Sequence, residues 1–160
     1  MANIINRKTL LCGLTFVLLI LVFFPQSARS QEKGWGLGII LGEPTGVSFK
    51  KWLNKDHAVD AAAAWSFGNE DAFHLHADYL FHNRNLINID GNRIPFYYGV
   101  GGRLKFQDQS RFGIRFPVGI TFFIREAPID LFFELVPILD LAPSTDFDLN
   151  AAIGARYYFH

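Results

Sequence analysis

The sequence predicts an all-β fold, an eight-stranded antiparallel up-and-down transmembrane barrel with a side-chain-filled interior. Three observations predict it. Apolar residues recur at every second position through segments of about ten residues. Turn-forming clusters punctuate the chain between those segments, and the oily face carries one charge, Lys51. Period-two alternation sends neighbouring side chains to opposite faces of a strand, whereas a helix would repeat its apolar residues every third or fourth position.

Residues 1–30 stand apart from this pattern. Arg7 and Lys8 precede an almost unbroken apolar run from Thr9 to Phe24, then Pro25, and small residues Ala28 and Ser30 lead up to Gln31. This is the layout of a secretory signal peptide. The run falls short of the roughly 20 residues a spanning helix needs. Cleavage leaves residues 31–160 as one barrel domain and removes Cys12, the 1 cysteine of the chain, so no disulfide can brace the mature protein. Arg7, Lys8 and Arg29 also leave a balance of 15 basic and 15 acidic residues, making the mature chain mildly acidic. Nothing in that balance suggests a nucleic-acid partner.

The breaks GEPT, NKDH, GNED, NRNLINIDGNR, QDQS, REAP and APSTD define eight segments. In the first, Trp35, Leu37, Ile39 and Leu41 oppose Gly34, Gly36 and Gly38. Val47, Phe49 and Leu53 then oppose Ser48, Lys50 and Trp52, and Val59, Ala61, Ala63, Trp65 and Phe67 oppose Asp60 and Ser66. The fourth segment, FHLHADYLFH, sets Phe73, Leu75, Ala77, Tyr79 and Phe81 against His74, His76, Asp78, Leu80 and His82. Phe96, Tyr98, Val100, Leu104 and Phe106 oppose Tyr97, Gly99, Gly101, Arg103 and Lys105. Phe112, Ile114, Phe116, Val118, Ile120 and Phe122 oppose Gly113, Arg115, Gly119 and Thr121. Ile129, Leu131, Phe133, Leu135 and Leu139 oppose Asp130, Glu134 and Asp140, and Phe147, Leu149, Ile153, Tyr157 and Phe159 oppose Asp148, Asn150, Gly154 and Arg156.

What lines each face decides which one is inside. Lys50, Arg103, Lys105, Arg115 and Arg156 balance Asp60, Asp78, Asp130, Glu134, Asp140 and Asp148, and together with His74, His76 and His82 they suit a narrow interior where ions pair. The opposite face suits lipid, where a cation at the midplane costs about 2–4 kcal/mol. A tilted spanning strand needs roughly 9–11 residues, and its backbone groups demand a closed sheet. An eight-stranded ring is just wide enough for side chains to fill, so a plugged lumen is expected. Aromatic residues fall at two rims, Trp35, Tyr79, Phe81, Phe96, Tyr98, Phe122, Tyr157 and Phe159 at one, Trp65, Phe67, Phe73, Phe106, Phe112 and Phe147 at the other. Bulges are expected at Pro117 and Pro137, and the longest connection is expected over residues 83–94, on the side of the chain termini.

Gly154-Ala-Arg-Tyr157-Tyr-Phe159 resembles the terminal assembly signal of bacterial outer-membrane barrels, with His160 following the usual terminal Phe. The blocks LGEPTGVSFKKWL, FHLHADYL, YYGVGGRLKF and PIDLFFELVPILDLAPSTDFDLNAAIGARYYF are similar to a family of small bacterial outer-membrane barrels without an assigned biochemical role. More widely the chain resembles the eight-stranded transmembrane domain of the OmpA type. The resemblance implies the outer membrane of a Gram-negative-type envelope, with outer-membrane lipids and the barrel-assembly machinery as partners. It leaves room for an extracellular or periplasmic protein partner, and supplies no catalytic or binding residues.

His74 and His76 share one strand face about 7 Å apart, and Asp78 follows, so these three are the candidate metal ligands. Against that, imidazoles in a lumen rich in acids settle as hydrogen-bonded pairs. Ser66, Ser110 and Ser144 near one rim would suit a small lipid-modifying enzyme, yet no nucleophile elbow accompanies them. GWGLG and YYGVGG lie in strands, so they are not phosphate-binding loops, and no cofactor is expected. The function expected is an integral outer-membrane barrel, structural or mediating surface interaction, with no open pore and no enzymatic activity. The alternative is a soluble periplasmic barrel carrying a hydrophobic ligand, in which the oily face would point inward.

Overall fold

A computed structural model describes residues 33–42, 44–66, 72–89, 92–107, 109–124 and 127–159. Residues 1–30, read as a signal peptide, lie outside the described residues, as do Phe67 and His160. The strands are β1 (Trp35–Gly42), β2 (Thr45–Trp52), β3 (His57–Ser66), β4 (Ala72–Ile89), β5 (Asn92–Phe106), β6 (Arg111–Arg115), β7 (Val118–Ile124), β8 (Ile129–Ala142) and β9 (Asp146–Phe159). Each pairs antiparallel with its neighbours, and β9 returns to β1, with Trp35 opposite Phe159 and Gly42 opposite Ala152. The sheet thus closes into a ring of eight positions, because β6 and β7 share the place between β5 and β8.

Pro117 makes nine strands of the eight expected. Proline has no N–H to give the ladder and holds its φ fixed, so the sixth segment breaks at Phe116-Pro117. The break is bridged on both sides: the Gly99 amide donates to the Pro117 carbonyl at 2.8 Å and the Phe116 amide to the Pro137 carbonyl at 2.9 Å. Arg115, Pro117 and Gly119 are all buried, so alternation passes through the break without inverting the faces.

Pro137 corrects a second expectation. No bulge forms against β9, where Val136, Pro137 and Ile138 face Asn150, Leu149 and Asp148 in unbroken register. The N–H and C=O of one strand residue point to the same neighbour. Since the Pro137 carbonyl meets Phe116, its missing donor faces the β6–β7 break and costs the β9 ladder nothing.

Nor are residues 83–94 a connection. β4 and β5 continue as a hairpin through Ile87 opposite Ile94 and Ile89 opposite Asn92. Register slips between Asn83 and Ile87, so β4 gains residues opposite Pro95, which cannot donate to it. The asparagine-rich composition resembles a loop, but the backbone ladder carries on through it to Ile89 opposite Asn92.

The predicted faces hold throughout. In β8, Asp130, Phe132, Glu134, Val136, Ile138 and Asp140 are buried while Leu131, Phe133, Leu135, Leu139 and Leu141 are exposed. The oily side chains therefore point away from the ring interior, which corrects the alternative of a barrel that holds a hydrophobic ligand against an inward oily face.

Candidate functional site

The lumen is where the chain gathers its chemistry. Strand parity turns one residue in two inward, and glycines among them clear space for large neighbours. A Cβ on Gly36 would stand 2.9 Å from the Tyr158 ring and one on Gly119 2.5 Å from Tyr97, so both rings fill what the glycines leave open. At the termini end of the barrel, where β1 begins and β9 ends, Trp52, Ala58, Leu80, Tyr97 and Tyr158 form a buried cluster. Lys50 lies within it. Its Nζ is 2.8 Å from His82 Nε2, and stands 4.6 Å from the ring centroid of Trp52 and 5.2 Å from that of Tyr97.

Further in, Asp130 accepts from Tyr158 Oη at 2.8 Å and from Arg156 Nε at 3.2 Å. Arg156 also approaches Asp60 at 3.6 Å, and its guanidinium lies 3.9 Å over the Phe132 ring. At mid-barrel Arg115 Nε donates to both oxygens of Asp78, at 3.1 and 3.0 Å, and Nη2 to Glu134 Oε1 at 3.4 Å. Tyr97 Oη donates to the other Glu134 oxygen at 3.0 Å. Toward the opposite end Arg103 grips Asp140 through two nitrogens, at 3.1 and 2.8 Å, and reaches Asp148 at 2.9 Å. Arg111 extends the chain to Asp146 at 3.0 Å and Asp140 at 3.5 Å.

Lys50, Asp60, His74, His76, Asp78, His82, Arg103, Arg115, Asp130, Glu134, Asp140 and Arg156 are buried, whereas Lys105 and Asp148 are half-buried near the far rim. Tyr97, Tyr158 and Arg111 join the network in addition to the residues the sequence points to. Inward parity was the available signal for the two tyrosines, but which acid each reaches depends on strands far away in the chain.

The candidate metal ligands are not drawn together. Asp78 is held by Arg115, and each histidine lies directly opposite a cation of β5, His74 opposite Lys105 and His76 opposite Arg103. Among the described residues no three His, Cys, Asp or Glu side chains converge to hold a metal ion. His74 Nε2 and His76 Nδ1 are buried without a hydrogen-bond partner from the protein.

No protein-family model matches the chain, and no curated protein matches it. Among solved structures it is similar to the crystal structure of the N-terminal β-barrel domain of Pseudomonas aeruginosa OprF, with a TM-score of 0.55 at 12% sequence identity, covering 78% of this chain and 95% of that one. The fold is that of an OmpA-type eight-stranded barrel. At that identity the likeness speaks for architecture alone, and this barrel's ion pairs belong to its own sequence.

Proposed function

We propose that the chain is an integral protein of the bacterial outer membrane, with a structural or surface-interaction role, a closed lumen and no catalytic activity. One observation carries this reading: the outward face of the ring is apolar from strand to strand. Leu37, Ile39, Val47, Leu75, Val100, Leu104, Phe116, Leu131, Phe133, Leu135 and Ile153 are all exposed, and Lys51 is the one charged side chain among the outward strand positions described. In water so large an oily belt would drive association, whereas hydrocarbon accepts it.

Aromatic belts support the same reading. Trp35 stacks on Phe159 at 4.4 Å and Phe81 on Tyr98 at 5.5 Å near the termini, while Trp65 packs on Phe73 at 4.5 Å at the other end. The filled interior favours a rigid body over a channel. Outer-membrane lipids would surround it, and the barrel-assembly machinery would insert it.

The test is fractionation of cells expressing the full chain, followed by electrophoresis with and without boiling. Recovery in the outer membrane, with faster migration of the unboiled band, is expected. Recovery in the periplasm without detergent would overturn the reading.

A further inference from the structure

The two rims of the barrel differ in charge. At the termini end Lys33, Lys51 and Lys55 are exposed, and Arg84 joins them, its Nη2 donating to the Lys55 carbonyl. The chain brings them together: Lys51 lies opposite Trp35 in the β1–β2 ladder, and the Trp52 amide donates to the Gly34 carbonyl at 3.1 Å beside Lys33. Lys55 sits in the β2–β3 turn, where Leu53 and Asn54 donate to the His57 carbonyl. Against these bases the turn offers Asp56. At the opposite rim the exposed chemistry is different. Arg111 is held by Asp146 and Asp140, and Asp148 is bound to Arg103.

Placement along the barrel gives this asymmetry a ligand. Trp35, Phe159, Tyr79 and Phe81 form the aromatic belt at the termini end, and such rings lie at the level of the headgroups of a surrounding bilayer. Lys51 projects from the oily face at that same level, and Lys33 and Lys55 continue outward from it. A long lysine side chain there lays its methylenes on the belt and extends its ammonium to the phosphate plane. We propose that the Lys33–Lys51–Lys55 rim is a binding surface for the headgroups of anionic phospholipids, and that it holds this end of the barrel at the headgroup level of the bilayer. The inference rests on the membrane-spanning reading above and adds the lipid class and the end that takes it.

The probe is bromine quenching of tryptophan fluorescence in vesicles of phosphatidylcholine and phosphatidylglycerol mixed equally, with bromine on the acyl chains of one lipid or the other. Trp65→Phe leaves Trp35 as the outward tryptophan, and Trp35→Phe leaves Trp65, Trp52 being buried in both. Brominated phosphatidylglycerol should quench Trp35 more strongly than brominated phosphatidylcholine, with the local ratio of phosphatidylglycerol to phosphatidylcholine raised about fivefold per engaged lysine at low salt. That preference should vanish in 1 M salt, about a 3 Å screening length, and in the triple variant Lys33→Gln, Lys51→Gln, Lys55→Gln. Trp65 should show no such preference. Equal quenching of Trp35 by the two lipids overturns the inference and leaves the membrane reading standing. Absence of quenching by either lipid, in protein shown to be folded by its gel shift, overturns both.

Discussion

Arg103 on β5 grips Asp140 on β8 with two nitrogens of its guanidinium, Nε to Oδ1 at 3.1 Å and Nη2 to Oδ2 at 2.8 Å, with both side chains essentially inaccessible to solvent. β6 lies between these strands, so the pair ties together parts of the wall that share no backbone ladder. Geometry of this kind tolerates paired replacement better than single truncation. Taking Arg103 leaves the buried Asp140 carboxylate with only the longer contact to Arg111, at 3.5 Å.

Arg103→Met should therefore destabilise the barrel by about 3–5 kcal/mol, while Arg103→Met combined with Asp140→Leu recovers much of that loss. Urea unfolding of micelle-refolded protein, followed by tryptophan fluorescence, measures both. Additive losses in the double variant would show that the pair is not coupled.

Tyr158→Phe removes the hydroxyl that reaches Asp130 at 2.8 Å. The expected loss is about 1.5–3 kcal/mol, the range for a hydrogen bond to a charged group. Gly119→Val acts on the same end by a different route, pushing its Cβ into the Tyr97 ring and the Phe133 carbonyl, so it should cost about 1–3 kcal/mol through overpacking. The same unfolding curves read both variants. Full stability of Gly119→Val would mean that the Tyr97 ring and the β8 backbone at Phe133 both give way.

On the outward face, depth in the bilayer should govern cost. Leu135→Arg at the middle of β8 should destabilise by about 2–4 kcal/mol in phospholipid vesicles, and Phe147→Arg near the start of β9 by about 1 kcal/mol or less. Equal costs at the two positions would indicate that the oily face does not meet a bilayer.

Planar-bilayer recordings should show no stable conductance steps, because side chains fill the ring from Trp52 to Asp140. Calorimetric titration with zinc should show no micromolar binding, and His76→Ala should leave the trace unchanged, since Asp78 is committed to Arg115. Saturable binding lost in His76→Ala would reassign the histidine pair.

Read as a string of residues, the chain shows its strand faces correctly because parity is local: whether Asp130 points with Glu134 or with Leu131 depends on nothing beyond their spacing. Composition misled only where local chemistry imitates a loop, as in the asparagine-rich stretch that continues the β4–β5 hairpin, or where a proline's effect depends on its neighbour. Pro117 divides a strand, while Pro137 is absorbed because its missing donor meets the gap that Pro117 opens.

Residue order is enough to specify a two-faced, period-two chain with ionisable groups on one side and oil on the other. Which acid answers which base is set by the folded ring. Arg103 with Asp140, Arg115 with Asp78 and Tyr97 with Glu134 are each separated by 37 residues, and those meetings depend on how the ring closes and on the stagger of strands far apart in the chain. Facing follows from the geometry of a single strand, but partnership follows from closure, which no local pattern encodes.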